Sequence, residues 1–493
     1  MKIVSYEKMA EIDLISQNKF QIPSSILMEN AGQACFTWIY NRFPPYKHNI
    51  YILCGNGNNS GDGFVIARYL FLYHYNVKTI TLFPEKSKKG DLLINSNIAN
   101  NLKIPDISYE SLLNCRLTNN DVIIDSIFGT GIKGELKGKI KDIILKINET
   151  NCYKIAIDIP SGLPENNNTN VIFNADTTLT IGLPKTPMYI LKNRPYCGNI
   201  KVCKISFPPE LFKGKDLTIN LVTKTRIKKL IKKRNDFIYK NKRGHLLLMA
   251  GSQGMTGAAN LASLAALRSG CGLVTCLVNE QINNTIAKNS PEIMTLLESN
   301  KINDFKRYSA FVIGPGLGNR TADCLNLIKN CLKNFSKILI DADGLKTIKQ
   351  FKLDQLSADN KTQQIVLTPH PGEFSNLSGI SKEAILNDSI NIVKRYAREH
   401  KIYLILKGAC SIIGTPQGNV YIYDSPNQAL ATAGSGDVLS GIIGSFMAQG
   451  YDALSAILIG IYLHSESGKL AKMRYSKNTV IAGDLIHEIH NII

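Results

Sequence analysis

HNIYILCGNGNNSGDGFVIARYLFLY (residues 48–73) reads as an apolar strand, a Gly/Asn turn and a helix, which is the βα unit of a parallel sheet. The same rhythm continues on the C-terminal side, with apolar runs NVKTITLF (76–83), DVIIDSIFG (121–129), KIAIDIPSG (154–162), ADTTLTIG (175–182) and NIKVCKISFPPE (199–210). Several of these runs are apolar throughout, as strands covered on both faces must be. A second series follows: HLLLMAG (245–251), GLVTCLV (272–278), AFVIGPG (310–316), KILIDADG (337–344), IVLTPHPGE (365–373), IYLILKG (402–408) and SIIGT (411–415). Both halves are therefore expected to be α/β with parallel sheets, and their ligand crevices to lie at the carboxyl ends of the strands.

A chain of 493 residues is too long for one core. The expected division is a domain over 1–212, a basic linker or helix over 213–235 and a domain over 236–493. The segment from Lys224 to Arg243 carries ten Lys/Arg against one Asp, with Ile227, Leu230 and Ile231 at helical spacing. Its charges thus decorate the outside of a short amphipathic helix. The net charge of +19 is otherwise spread along the chain, and no interleaved basic and aromatic platform accompanies it. It is read as a general attraction for anionic nucleotides, and no nucleic-acid partner is expected. No run of about 18 apolar residues and no signal-peptide core is present, so no membrane association and a cytoplasmic location are expected. The eleven cysteines show no CxxC pair and are expected to be reduced thiols.

In ATAGSGDVLSGIIGSFMAQG (431–450), Gly434 and Gly436 let the backbone approach a ligand at the start of a helix, whose free N–H groups make an anion site. Asp437, in the first turn, is placed to accept a proton from an attacking hydroxyl while those amides stabilise a transferred phosphoryl group. KGACS (407–411), GPGLG (314–318), DADG (341–344) and TPHPGE (368–373) all fall at expected strand ends of the same half, and the two carboxylates of DADG suit Mg²⁺ or substrate. No GxxxxGK[ST] is present, so this is no P-loop site.

On these motifs, residues from about 240 to 490 resemble the ribokinase-type carbohydrate-kinase superfamily and, within it, the ADP-dependent NAD(P)H-hydrate dehydratases. The resemblance implies phosphorylation of the C6 hydroxyl of hydrated nicotinamide by ADP, with Mg²⁺, followed by elimination of phosphate. It implies that Ala258, Gly316, Gly318, His370 and Asp437 face the hydrate, that Asp437 is catalytic, and that Lys407, Gly408, Ala409, Cys410, Ser411 and Gly436 hold the adenine nucleotide.

In the first half, Gly55, Gly57 and Gly61 are spaced G-x-G-x-x-x-G, one residue off the dinucleotide fingerprint. Asn58, Asn59 and Asp62 offer oxygens to a turn, a ribose or a monovalent cation. With Asp125, the loop Gly129–Glu135 and Asp158 and Ser161 of IDIPSG, and with Met9, Glu11, Ile12, Asp13 and IPSSILMENAG (22–32) upstream, residues 1–210 resemble the NAD(P)H-hydrate epimerases. That resemblance implies K⁺ held by Asn59, Asp125 and Ser161. It implies hydrate contacts from Asn58, Asn59, Ser60, Gly61 and Asp62, from Gly129, Thr130, Gly131, Ile132, Lys133, Gly134 and Glu135, and from Asp158, with Asp158 assisting proton transfer. Ser60 stands where the family loop has Gly; if that position needs φ > 0, serine costs about 1 kcal/mol.

The two resemblances together imply a bifunctional enzyme acting on NAD(P)H hydrates and ADP, and a homo-oligomer is expected. The alternative is a vitamin-precursor kinase of the ribokinase superfamily fused to a non-catalytic nucleotide-binding domain.

Overall fold

The computed structural model describes residues 1–83, 87–131, 134–165, 171–233, 237, 239–300, 302, 304–349 and 363–493. Its contacts divide the chain into two compact units, Met1–Ile219 and Asn220–Ile493, with the boundary inside the 213–235 segment.

The first unit holds six strands: β1 (Asn49–Cys54), β2 (Asn76–Thr81), β3 (Asp121–Ser126), β4 (Tyr153–Ile157), β5 (Thr177–Ile181) and β6 (Asn199–Cys203). They lie in the order β2-β1-β3-β4-β5-β6, parallel throughout. β3 is buried at every residue, as a central strand covered on both faces must be. From β1 the chain first goes to β2 and then returns to β3 on the other side, so the sheet order reverses between β1 and β3, where a crevice opens at the strand ends.

The helix after β1 begins at Asn58 and runs to Leu72, three residues earlier than the Gly/Asn turn suggests. Ser60 is therefore helical and does not adopt φ > 0. Its buried hydroxyl donates to Ser126 O at 2.8 Å, tying the helix to β3. The expected penalty for serine is absent, because the position needs no left-handed backbone. Ser60→Gly should instead destabilise the protein by ~1–2 kcal/mol, the sum of one lost hydrogen bond and a glycine inside a helix; urea unfolding measures it.

The second unit's sheet holds β7 (Ile219–Leu221), whose first residue is the last of the first unit, β8 (His245–Met249), β9 (Leu273–Val278), β10 (Met294–Leu297), β11 (Ala310–Ile313), β12 (Lys337–Ile340), β13 (Gln364–Leu367), β14 (Tyr403–Leu406), β15 (Cys410–Gly414) and β16 (Val420–Asp424). Their order is β10-β9-β8-β11-β12-β13-β14-β15-β16-β7. The sheet is parallel from β10 to β14, but the β14–β15 and β15–β16 pairings are antiparallel, so β15 alone is reversed among these strands. This corrects the expectation of a wholly parallel layer. Only Lys407, Gly408 and Ala409 separate β14 from β15, a connection too short for a parallel crossover, so the chain must turn back as a hairpin.

Helix Ser435–Ala448 lies against helix Thr256–Arg268 so closely that a Cβ at Gly441 would sit 2.1 Å from Ala262 O. Of the basic segment, Lys224–Lys228 forms a short helix with Ile227 buried and Leu230 and Ile231 packed on the second core, its charges outward. All eleven cysteines are thiols, ten of them buried. No helix among the described residues is long and apolar enough to cross a membrane.

Candidate functional sites

At the switch point of the first unit lies a cavity of about 980 Å³. Asn58, Asn59, Asp62, Gly129, Thr130, Gly131, Glu135 and Asp158 line it, together with Asp13 and Lys185. Ser60 and Gly61 do not; a Cβ on Gly61 would collide with Met28, so this glycine serves close packing. Gly134 adopts φ 83°, a conformation that favours glycine, and is not among the lining residues. Ile132 and Lys133 lie outside the described residues.

Asp125, at the end of β3, accepts from Ser161 N and Ser161 Oγ, both at 2.7 Å, and from Ile127 N at 3.1 Å. Burial nevertheless pushes its carboxyl up to about 6. Asn59 donates through Nδ2 to Phe128 O at 3.1 Å, and its buried Oδ1 has no hydrogen-bond partner. An orphaned amide oxygen is costly in a folded protein unless something fills its lone pairs. With the Asp125 carboxylate and the Ser161 hydroxyl it makes an all-oxygen donor set, which suits a hard cation such as K⁺.

Five carboxylates, Asp13, Asp62, Asp91, Glu135 and Asp158, line the cavity with Lys137 and Lys185, and of these Asp13, Asp62, Asp158 and Lys185 act on one another. Asp158 sits at φ 65°, in the left-handed region, with its own N–H bonded to Leu179 O and its Oδ1 accepting from Ile181 N at 3.1 Å and from Lys185 Nζ. Asp62 is driven well above the usual carboxylate range by burial, then by Asp158 and Asp13. Asp13 is pushed up to about 6, mainly by burial. Lys185 escapes the motif reading because GLPKTP carries no family of chemical partners in sequence; only its burial at 1 % exposure beside a carboxylate marks it.

In the second unit the sheet reverses between β8 and β11. The loops leaving these strands interlock there: Gly251 N donates to Pro315 O at 2.8 Å and Ser252 Oγ to Gly316 O at 2.9 Å. Gly316 has φ 60°, and a Cβ there would lie 2.7 Å from that of Ala258; one at Gly318 would strike Met255. These three expected residues are thus brought together. Arg320 fixes the same loops from below, donating to Ala250 O and Gly251 O and pairing with Glu298.

Helix Ser435–Ala448 is entered through Gly434 at φ 82°, which turns the first amides and Asp437 toward the strand ends. Beside them Lys407 Nζ bonds Asp341 Oδ1 at 2.9 Å and lies 3.9 Å from Glu373 Oε2. A Cβ on Gly436 would fall 3.6 Å from that ammonium, so the bare backbone stands directly over the ion pair. Ser440 Oγ completes the grip on Asp341 at 2.7 Å. Burial raises Asp341, but Lys407, Ser440 and Thr368 outweigh it and hold the carboxyl below its ordinary value. Asp437 goes the other way, pushed up to about 6 by burial and by Asp341 and Asp343 against the pull of Lys407. Asp341 is therefore held as a fixed counter-charge, while the Asp437 carboxyl is shifted toward neutrality.

The remaining expected residues differ in role. His370 caps helix Pro371–Ser378: Nδ1 accepts from Gly372 N and Glu373 N, Glu373 Oε2 accepts from His370 N, and the ring is 57 % exposed. Gly408 and Ala409 are exposed at the hairpin turn, Ser411 is half-buried, and the Cys410 thiol is buried in the core, which leaves only its backbone to a ligand.

A family model described as NAD(P)H-hydrate dehydratase matches residues 246–491, and one described as YjeF-related protein N-terminus matches residues 24–187. The chain is 34% identical to the bifunctional NAD(P)H-hydrate repair enzyme of Moorella thermoacetica, over 99% of this chain and 95% of that one. It is 28% identical to the Escherichia coli protein of the same name, over 95% and 89%. Among solved structures, the ADP/ATP-dependent NAD(P)H-hydrate dehydratase of Bacillus subtilis, co-crystallised with ATP/Mg²⁺, is similar with a TM-score of 0.50 and 26% identity, over 56% of this chain and 98% of that one.

Proposed function

The chain belongs to the bifunctional NAD(P)H-hydrate repair enzymes, and from that membership we propose how its own residues divide the two reactions. The first unit interconverts the R and S hydrates in the cavity at Asp158, and the second dehydrates the S hydrate at Asp437. The observation that carries the reading is the pairing of a poised Asp437 with a locked Lys407–Asp341 ion pair under the bare backbone of Gly436.

In the second unit the substrate's C6 hydroxyl attacks the terminal phosphorus of ADP, Asp437 takes the hydroxyl proton, and AMP leaves. Elimination then breaks the C6–O bond, releasing phosphate, and the C5–H bond, whose proton passes to water or the departing phosphate, so that the C5=C6 double bond of NAD(P)H is restored. The amides at the head of helix Ser435–Ala448 stabilise the charge on the transferred group. Lys407, beside the Gly436 backbone, adds its positive charge to theirs. Gly408, Ala409 and the backbone of Cys410 and Ser411 border the adenine nucleotide. Mg²⁺ would neutralise charge on its phosphates, as a relative crystallised with ATP/Mg²⁺ suggests. In the first unit, Asn59, Asp125 and Ser161 would hold K⁺, which would supply a fixed positive charge beside the substrate.

The test is to give purified enzyme a mixture of R and S hydrates of NADH with ADP and Mg²⁺ and to follow NADH absorbance. Complete recovery supports both activities; recovery halting at the S fraction, beyond slow spontaneous epimerisation, removes the epimerase assignment. Asp437 accepts a proton only when ionised, so dehydration should fall through an acidic limb near pH 6, about tenfold per unit below it. A pH–rate profile of kcat/KM at fixed ADP checks this.

A further inference from the structure

The geometry points to Lys185 as a positioning residue for the epimerisation, one that acts on the substrate only through Asp158. The inference rests on the assignment of epimerisation to this cavity.

Lys185 follows β5 in GLPKTP, and its backbone is fixed by a parallel bridge to Val4, with Val4 N bonded to Pro184 O and Thr186 N to Val4 O. Its side chain is 1 % exposed although it lines the cavity. An ammonium has three N–H donors and no acceptor. Here all three are spent, on Asp158 Oδ1, on Ile181 O at 2.8 Å and on Thr180 Oγ1 at 3.2 Å. Nothing remains to donate to a bound hydrate, so the ammonium exerts its effect on Asp158.

That effect is needed. Asp158 holds a left-handed backbone that side chains rarely adopt, and such a conformation persists only where its surroundings over-determine it. Ile181 N and Lys185 both clamp Oδ1, and no described residue donates to Oδ2, which is left to the cavity. Lys185 is also the ammonium nearest the three carboxylates Asp13, Asp62 and Asp158 that meet here, so it carries the counter-charge that lets Asp158 stay in place. Asp158 thus presents one oriented oxygen to the hydrate, with lysine as its rear support.

The experiment is a double-mutant cycle on the full chain, with the two hydrates separated by chromatography and no ADP present. Lys185→Met keeps the stem's volume and removes the charge. It should lower epimerisation kcat about 10²-fold with KM within a factor of two. In the Asp158→Asn background the same change should alter the rate by less than threefold, because the residue through which Lys185 acts is already disabled. Should Lys185→Met unfold below the assay temperature, Lys185→Gln, which retains one amide donor, is read the same way. A wild-type kcat in the neutral variant, a raised KM with kcat kept, or an equal loss in the Asp158→Asn background overturns the proposal. Failure of the unmutated enzyme to epimerise at all is a different result and removes the assignment of the cavity, and the role of Lys185 with it.

Discussion

Asp437→Asn should lower hydrate dehydration by about 10²–10⁴-fold, the range for loss of a positioned proton acceptor, and should at the same time make the protein more stable. The two effects share one cause. Burial and the nearby Asp341 and Asp343 raise the folded-state pKa of Asp437 from 3.8 to about 6. A carboxyl whose pKa is raised on folding favours the native state only while protonated. Its contribution is complete below the unfolded value and is lost as pH rises through about 6. At pH 7 the ionised group therefore opposes folding, by an amount on the order of 2–3 kcal/mol from the size of the shift. A neutral amide of the same shape removes that opposition. Urea unfolding at pH 7 should show the variant more stable, and the gain should vanish below about pH 4. Epimerisation by the same sample should be unchanged.

Lys407→Met should abolish dehydration and destabilise the second unit by ~3–5 kcal/mol, because it strands Asp341, a carboxyl with 2 % side-chain exposure. Here the sign is opposite. Asp341 has a depressed folded pKa, so the stability it brings is present above its unfolded value and is lost as pH falls through the lower folded one. Removing the lysine should therefore do most damage at neutral pH, and the deficit should shrink in acid as Asp341 takes up a proton. Lys407→Arg tests shape against charge. A guanidinium keeps the charge but cannot sit as a compact point under Gly436, so stability should recover further than activity. Melting curves at pH 7 and pH 4, beside initial rates, separate the two.

Much of this was legible in the residues. The apolar runs and the glycines and carboxylates that end them pointed to the strand ends of both units, where the first unit's cavity and the second unit's Lys407–Asp341 pair lie, because a strand covered on two faces leaves only its carboxyl end for polar chemistry. Asp437 and Asp158 could be singled out for the same reason. What sequence could not give was direction and partnership. KGACS looks the same whether β15 runs parallel or antiparallel, and only the three-residue span from Lys407 to Ala409 decides it. The Asn58–Asp62 loop read as a turn because Asn and Gly favour turns, yet tertiary contacts drew it into a helix and gave Ser60 a partner in Ser126. Lys185 and Ser440 were invisible as functional groups. Each is marked by a partner 27 or 99 positions away, and spacing carries no trace of that. His370 was visible but its role was not, since a proline-flanked histidine serves equally as a cap or a ligand.

That one chain carries two independent sites is tested most directly by complementation between the variants Asp437→Asn and Asp158→Asn, supplied with the pure R hydrate of NADH, ADP and Mg²⁺. Alone, the first should equilibrate R and S without making NADH, and the second should make NADH no faster than spontaneous epimerisation allows. Mixed, they should restore complete recovery of NADH. Recovery no faster in the mixture than with the Asp158→Asn variant alone would contradict the account.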